Sequence, residues 1–238
     1  MLSLYSFIAP PSPCGYLPTQ QWSLEYELIA AMSPADYMQR MKEGWRRFGH
    51  MVFRPKCRNC SQCRSVRVAV DRFTPNRSQR RVRKLNEGQL SVAIGPPSVS
   101  PLKLHLYDRY HAFQTDHKDW PAHAPKDPDD FCQSFIDNPF ATEEWSYYVG
   151  SKLVGVGYVD ALPEGLSAIY FFYDPDERDR QLGTFNVLSL IDETRRRGLP
   201  HLYLGYYVQG CPSLEYKASF RPNETLESGQ GWTPFREA

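Results

Sequence analysis

The chain has 238 residues, 41% of them hydrophobic and 14% aromatic, which suits one large or two small domains with a sizeable core and excludes a disordered chain. Its 20 prolines and 15 glycines are scattered without a period, which excludes collagen-like and proline-rich linker classes. No apolar run is long enough to span a membrane, and the first residues lack a basic segment leading into a long apolar one. A cytoplasmic protein is therefore expected.

The net charge of +1 hides a segregation. Between Arg40 and Lys84 there are 15 Lys or Arg and only Glu43 and Asp71 as acids, a local excess of +13 that the other 193 residues offset with −12. Such a layout points a basic face at a polyanion. Most of these cations are arginines, whose planar forks suit phosphate oxygens. Trp45 and Phe48 stand among them, either to stack on unpaired bases or to anchor a core.

Taken in chain order, Ser33-Pro34 with Asp36 reads as a cap, a proline at the first helical position and an acid in the first turn of a helix that ends at Gly44. Within the basic segment, Cys57-x-x-Cys60-x-x-Cys63 has the spacing of a metal site, and six cysteines are too sparse for a disulfide-stapled fold. Alternation at Val66, Val68 and Val70 predicts a strand with Arg67 on its other face. Asn76 to Lys84 reads as a short basic helix, followed by a strand over 89–94. Gly95-Pro96-Pro97-Ser98 is the best linker and places a domain boundary near residue 98. Ser100-Pro101 then opens a long helix to about His117, with a Pro- and Asp-rich loop and a short helix over 128–136 after it. His105, His111, His117 and His123 are spaced by six without a metal pattern and are expected at the surface.

From Glu144 the period changes to that of strands: 145–149, 153–159 and 167–173, separated by turns at Gly150-Ser151 and Glu164-Gly165. A helix over 184–197 and a strand over 201–208 follow, then Cys211-Pro212, a short segment over 213–220 and a polar tail. Strict alternation in the last strand puts Tyr203 and Tyr207 on one face and Tyr206 on the other. Strand, strand, strand, helix, strand is the order of an acyltransferase core that holds its acyl carrier at a helix N-terminus. The expected architecture is α+β and acyltransferase-like (GNAT-like). It has a mixed, largely antiparallel sheet flanked by helices, with a basic, cysteine-containing N-terminal domain (1–98) and a transfer domain (99–238).

Five stretches together resemble a known family. They are Cys14-Gly15-Tyr16-Leu17-Pro18, GWRRFGHMVFRPKCRNCSQCRSVRV from Gly44, FTPNRSQRR from Phe73, SAIYFFYDPDERDRQLGT from Ser167 and HLYLGYYVQGCPSLEYKASFRP from His201. In this order they resemble the arginyl/leucyl-tRNA-protein transferases, in the compact form of the bacterial aspartate/glutamate leucyltransferases. The resemblance implies an aminoacyltransferase. It would move leucine from leucyl-tRNA to the N-terminal amine of proteins that begin with Asp or Glu and so mark them for degradation (the N-degron rule). Arginyl-tRNA as donor is an alternative. A non-catalytic, metal-dependent RNA-binding module and a coenzyme-A acetyltransferase are others; the first leaves the C-terminal half unemployed, and the second needs no +13 segment.

An ester donor and an amine nucleophile need no cofactor. They need positioning, a proton acceptor for the ammonium and donors for the oxyanion. Asp174, beside Tyr170 and Tyr173, is the expected amine-binding or amine-deprotonating group, and Tyr170 and Tyr206 are candidate catalytic hydroxyls. Gly183 and Thr184 open a helix and would cradle a phosphate or carbonyl oxygen. Lys217 would hold the acceptor's acidic side chain or a phosphate, and the forks of Arg67, Arg80 and Arg81 would hold the acceptor carboxylate or serve tRNA phosphates. Arg46, Arg47, Arg54 and Arg77 are expected on tRNA phosphates. Cys14 joins Cys57, Cys60 and Cys63 as four thiols compatible with zinc or an iron-sulfur cluster, and the resemblance implies a cysteine-rich regulatory region there. Cys14 stands alone where the longer eukaryotic relatives carry paired cysteines.

Overall fold

The computed structural model describes residues 1–118, 120–227 and 229–236. The chain opens with β1 (Leu2–Ile8), the short strands β2 (Ser12–Pro13) and β3 (Gln21–Trp22), and β4 (Leu24–Ala31). Helix α1 (Pro34–Lys42) follows, with the expected cap: the Ser33 side chain accepts from the Asp36 amide, and Asp36 accepts from the Ser33 amide. Then come β5 (Arg46–Phe48), β6 (Met51–Pro55), β7 (Arg64–Ala69), α2 (Arg77–Asn86) and β8 (Leu90–Gly95). The linker leads into α3 (Pro101–Lys118) and α4 (Pro128–Phe131), which continues as a π-turn over Cys132–Ile136. The meander β9 (Thr142–Val149), β10 (Lys152–Leu162) and β11 (Gly165–Tyr173) precedes a 3₁₀ turn over Pro175–Arg180, α5 (Leu182–Arg196) and β12 (His201–Tyr207). The chain closes with α6 (Pro212–Glu215), a 3₁₀ turn over Tyr216–Ser219, and the hairpin β13 (Asn223–Glu227) and β14 (Gly231–Pro234).

These elements form an eight-stranded sheet in the order β14-β13-β7-β12-β11-β10-β9-β8 and a four-stranded sheet in the order β1-β4-β6-β5. Among the described residues only the β11-β12 ladder is parallel, because α5 crosses between those two strands. The mixed, largely antiparallel sheet flanked by helices is the expected architecture. Val82 of α2 and Leu182, Leu188 and Ile191 of α5 bury themselves on one face of it, with Val66, Leu166, Leu202 and Leu204. The opposite face carries two further clusters, Leu106, Phe131 and Phe135 near α3, and Tyr37, Met38, Trp45, Val52 and Tyr203 where α1 and the smaller sheet dock.

Two features of the organisation depend on long-range strand pairing. The division at residue 98 runs through a hydrogen-bonded layer, since β7 pairs with β12 and β13, and β8 pairs with β9. The tail after residue 222 is not a polar extension: β13 lies against β7 and Thr225 is buried.

Arg47 fastens the two sheets together. Its Nε donates to Asp160 Oδ2 at 2.9 Å, its Nη2 to Thr142 Oγ1 at 2.7 Å and its Nη1 to Asn138 Oδ1 at 2.7 Å. It forms a buried ion pair with Asp160. The adjacent turn needs glycine at Gly49, where φ is +51° and a Cβ would stand 1.9 Å from the Gln133 carbonyl oxygen. No helix among the described residues is long and apolar enough to cross a membrane.

Candidate functional site

The site begins where the parallel ladder fails. β11 and β12 pair only from Gly165-His201 to Ser167-Tyr203. Beyond that point β11 stays with β10, β12 stays with β7, and the two strands diverge into a wedge at the middle of the sheet. A bulge marks each side, at Ile169 of β11, opposite Tyr158 and Val159, and at Leu204 of β12, between Tyr203 and Gly205. Gly205 has φ +79°, a backbone conformation that L side chains rarely adopt.

The Gly205 bulge overturns the expected alternation in β12. Tyr203 lies in the cluster under the smaller sheet, and Tyr206 reaches the same side, where its hydroxyl donates to the Gly44 carbonyl at 2.7 Å. Tyr207 and Leu204 point into the α5 core instead. Tyr206 is thereby fixed as a wall residue of a cleft of about 770 Å³, which Gly44, Phe53, Cys63 and Ser65 also line. Lys217 is buried behind it and donates from Nζ to the Tyr206 carbonyl at 2.7 Å.

On the other side of the wedge, Tyr170 bonds to His111 Nε2 at 2.9 Å. His111 stacks on Tyr107 with centroids 4.1 Å apart and lies 4.8 Å from the His123 ring. His123 bonds in turn to Asp108 Oδ1 at 2.8 Å. Burial, reinforced by His123, pushes the His111 pKa down to about 4, so at neutral pH the ring is uncharged. Burial also drives the Tyr170 hydroxyl well above its ordinary value, which keeps it a proton donor. His111 and His123 were expected at the surface with His105 and His117; only the latter two are exposed. The i, i+4 spacing of Tyr107 and His111 was the available signal, since it puts both rings on one helix face.

Asp174 already has partners. It is 1% exposed, caps the 3₁₀ turn by accepting from the Asp176 amide at 3.1 Å, and pairs with Lys152 at 2.9 Å and Arg109 at 3.0 Å. Burial raises its pKa, but Lys152, the Asp176 amide and Arg109 outweigh it and hold the carboxyl below its ordinary value. A buried, ionised, fully engaged carboxylate is a poor base. Tyr173 is half-buried against Tyr110, with ring centroids 5.0 Å apart.

At the N-terminus of α5, Gln181 adopts φ +53° and supplies no side-chain cap, so the amides of the first turn lack that partner. Gly183 and Thr184 lie in this turn, and a Cβ at Gly183 would meet nothing within 4 Å.

The arginines separate by burial. Arg47 is spent on Asp160, so its expected phosphate contact is corrected. Arg46 is only 6% exposed and lies over the Tyr206 ring, so it does not present its fork at the surface. Trp45 is a core anchor, with the Arg40 and Arg54 guanidinium groups 4.9 and 4.7 Å from its ring centroid. Arg67 grips Glu224 through Nε at 2.7 Å and covers Trp232, so its fork is not open to an acceptor carboxylate. Arg54 lines the cleft while paired with Glu25 at 2.7 Å. Arg77, Arg80 and Arg81 are exposed on one stripe of α2, whose other face buries Gln79, Val82 and Asn86.

Cys14, Cys57, Cys60 and Cys63 all line the cleft as free thiols. Burial, with Cys57, Cys14 and Cys60 close by, pushes the Cys63 thiol up to about 12. Among the described residues, however, no three His, Cys, Asp or Glu side chains are arranged to hold a metal ion. The donors suit a soft metal by type and not by arrangement, so no step below runs through one.

Residues 12–81 match the model of the arginine-tRNA-protein transferase N terminus, and residues 102–227 match that of its C terminus. The chain is 33% identical over 228 residues to an aspartate/glutamate leucyltransferase of Helicobacter hepaticus, covering 95% of this chain and 94% of that protein. It is 36% identical to the enzyme of that name from Marinobacter nauticus and 37% to that from Pseudomonas paraeruginosa, each with 95% of this chain and 94% of the relative covered. With both halves matched in order and the similarity running nearly end to end, the chain belongs to the arginine-tRNA-protein transferase family.

Proposed function

We propose that this protein transfers leucine from leucyl-tRNA to the N-terminal amine of proteins that begin with Asp or Glu. The observation that carries this reading is the 33–37% identity, over more than nine-tenths of each chain, to proteins named aspartate/glutamate leucyltransferase.

The wedge between β11 and β12 is the place for the reacting ester. Both strands carry backbone N-H groups past the end of their shared ladder, and such groups can donate to the carbonyl oxygen as it becomes an oxyanion. The acceptor amine attacks the ester carbon, the C-O bond to the ribose breaks, and the amine loses a proton as the ribose oxygen gains one. The Tyr170 hydroxyl, protonated and hydrogen-bonded to an uncharged His111, is placed to give that proton and be recharged through the imidazole. The exposed α2 stripe takes tRNA phosphates.

The test is a transfer assay with labelled leucyl-tRNA or arginyl-tRNA and peptides beginning with Asp, Glu, Lys or Ala. Label on the Asp and Glu peptides from leucyl-tRNA alone is the expected result. Label from arginyl-tRNA changes the donor. No label from either, with tight salt-sensitive tRNA binding, replaces the enzyme with an RNA-binding module.

A further inference from the structure

β1 is an open edge. Among the described residues it pairs only with β4, and each of its seven residues is exposed. The exposure is apolar on both faces of the strand. Tyr5 and Phe7 stand opposite Leu28 and Tyr26, on the face turned away from the Ile29 core, where Phe7 stacks on Tyr26 at 5.2 Å and Tyr5 on Phe7 at 6.0 Å. Ile8 alternates to the other face and is 57% exposed, and Leu2 and Leu4 are exposed to 59% and 60%. Edge strands are ordinarily guarded by lysines, prolines or inward-pointing charges. β1 contains none of these, and no charged side chain occurs in the chain before Glu25. Its irregularity, a bulge at Leu4, leaves Tyr5 to Ile8 in unbroken register.

We propose that β1 is the interface between two copies of this chain, joined antiparallel about a twofold axis at Ser6 so that two four-stranded sheets become one of eight strands. The backbone fixes which groups are available. Ala9 donates its N-H to the Leu24 carbonyl at 2.9 Å, so by alternation Tyr5 and Phe7 use their amides and carbonyls on β4, while Ser6 and Ile8 turn theirs to the open edge. A twofold axis normal to the sheet keeps each face on its own side, so residues that meet share a face and the axis passes through a residue. With the axis at Ser6, the two Ser6 residues exchange both backbone hydrogen bonds, Tyr5 of each copy meets Phe7 of the other, and Ile8 stands opposite Leu4. The aromatic pairs then fall at the non-hydrogen-bonded positions, where side chains come closest. Leu2, Leu4, Tyr5, Phe7 and Ile8 are each about half exposed. Side chains of this size then present on the order of 100 Å² each, so two copies bury on the order of 1,000 Å², the least that a specific interface needs. A partner of arbitrary sequence does not match apolar side chains on both faces of the strand; a second β1 does. β1 lines no part of the cleft, so pairing leaves the cleft walls as they are, and the inference is independent of the transfer reading.

The experiment is sedimentation velocity on the full-length chain at concentrations up to about 100 µM, because an interface at the lower end of the size range is weak. The wild type should form a dimer. Ser6→Pro should weaken it on the order of tenfold to a hundredfold, since it removes central hydrogen bonds and none that β4 uses, with the circular-dichroism spectrum unchanged. Ser6→Lys and Ser6→Glu each set like charges opposite one another at the axis, so an equal mixture of the two should associate more tightly than either alone, by about threefold or more. A wild type that stays monomeric overturns the proposal, as does a dimer that Ser6→Pro leaves intact or a mixture no tighter than its components. A monomeric wild type whose transfer to long acceptor peptides, and not to dipeptides, falls in Ser6→Pro would assign the edge to the acceptor chain and overturns it equally. Should Ser6→Pro not fold, the lysine and glutamate variants decide the matter.

Discussion

The basic segment divides into two regions of opposite fate. Up to β7 most of its arginines are turned inward, the exposed Arg58 excepted: Arg47 is sealed against Asp160, Arg46 is buried over Tyr206, Arg67 holds Glu224 and Arg54 holds Glu25. On α2, Arg77, Arg80, Arg81 and Lys84 stand exposed, and among the described residues none of them has an acidic partner. The residue type is the same and the sequence distance short. What differs is that β5 and β6 lie between two layers, whereas α2 covers one and turns its other side to water. A charge run in sequence is thus a footprint for a polyanion only where a helix or edge holds it outside.

Arg47→Met should have the largest effect, since it leaves Asp160 buried and unpaired. A stability loss of about 3–5 kcal/mol is expected in denaturant unfolding, and a loss under ~1 kcal/mol would mean that the inner arginines are not structural. Next comes the triple change Arg77→Ala, Arg80→Ala, Arg81→Ala. It should weaken tRNA binding about tenfold to a hundredfold at moderate salt and reduce the salt slope by about two to three, while thermal unfolding stays where it was. An unchanged salt slope would remove α2 from the interface.

Asp174→Asn should cost about 1–3 kcal/mol through its lost ion pairs, without abolishing transfer. The folded carboxyl titrates below the ordinary 3.8, so its stabilisation is present above that value and is lost as pH falls through the lower folded pKa. The variant should therefore show a flatter acid limb of stability against pH. Complete loss of transfer in a folded Asp174→Asn protein would restore the amine-handling role. The smallest effect expected is for Gly205→Ala. Enforcing φ +79° on alanine should cost about 1–2 kcal/mol, with activity falling more than stability because Tyr206 is aimed by that bulge.

Local signals were enough for the elements that carry their own punctuation. Ser33-Pro34-x-Asp36 is a complete cap in four residues, Asn76 with Gln79 caps α2 in the same way, and Gly150 and Gly165 mark the turns between the strands of the meander. They failed where an element depends on a distant partner. β1 and β4 pair only with each other and with β6, and β13 becomes a strand because β7 offers an open edge. Neither has a strong pattern of its own.

The amino-acid sequence by itself determined the family, the cysteine cluster, the order of strands and helices from residue 144 to 208 and the candidacy of Tyr170, Tyr206, Gly183 and Lys217. Only the tertiary structure decided which of the many charges are free, because an ion pair between Arg47 and Asp160 joins residues 113 positions apart and leaves no local trace. It also decided the direction of Tyr206, since one extra residue at the Gly205 bulge reverses the face of every side chain after it. Burial also set the ionisation of both groups, holding the Asp174 carboxyl charged between Lys152 and Arg109 and the His111 ring uncharged beside Tyr170.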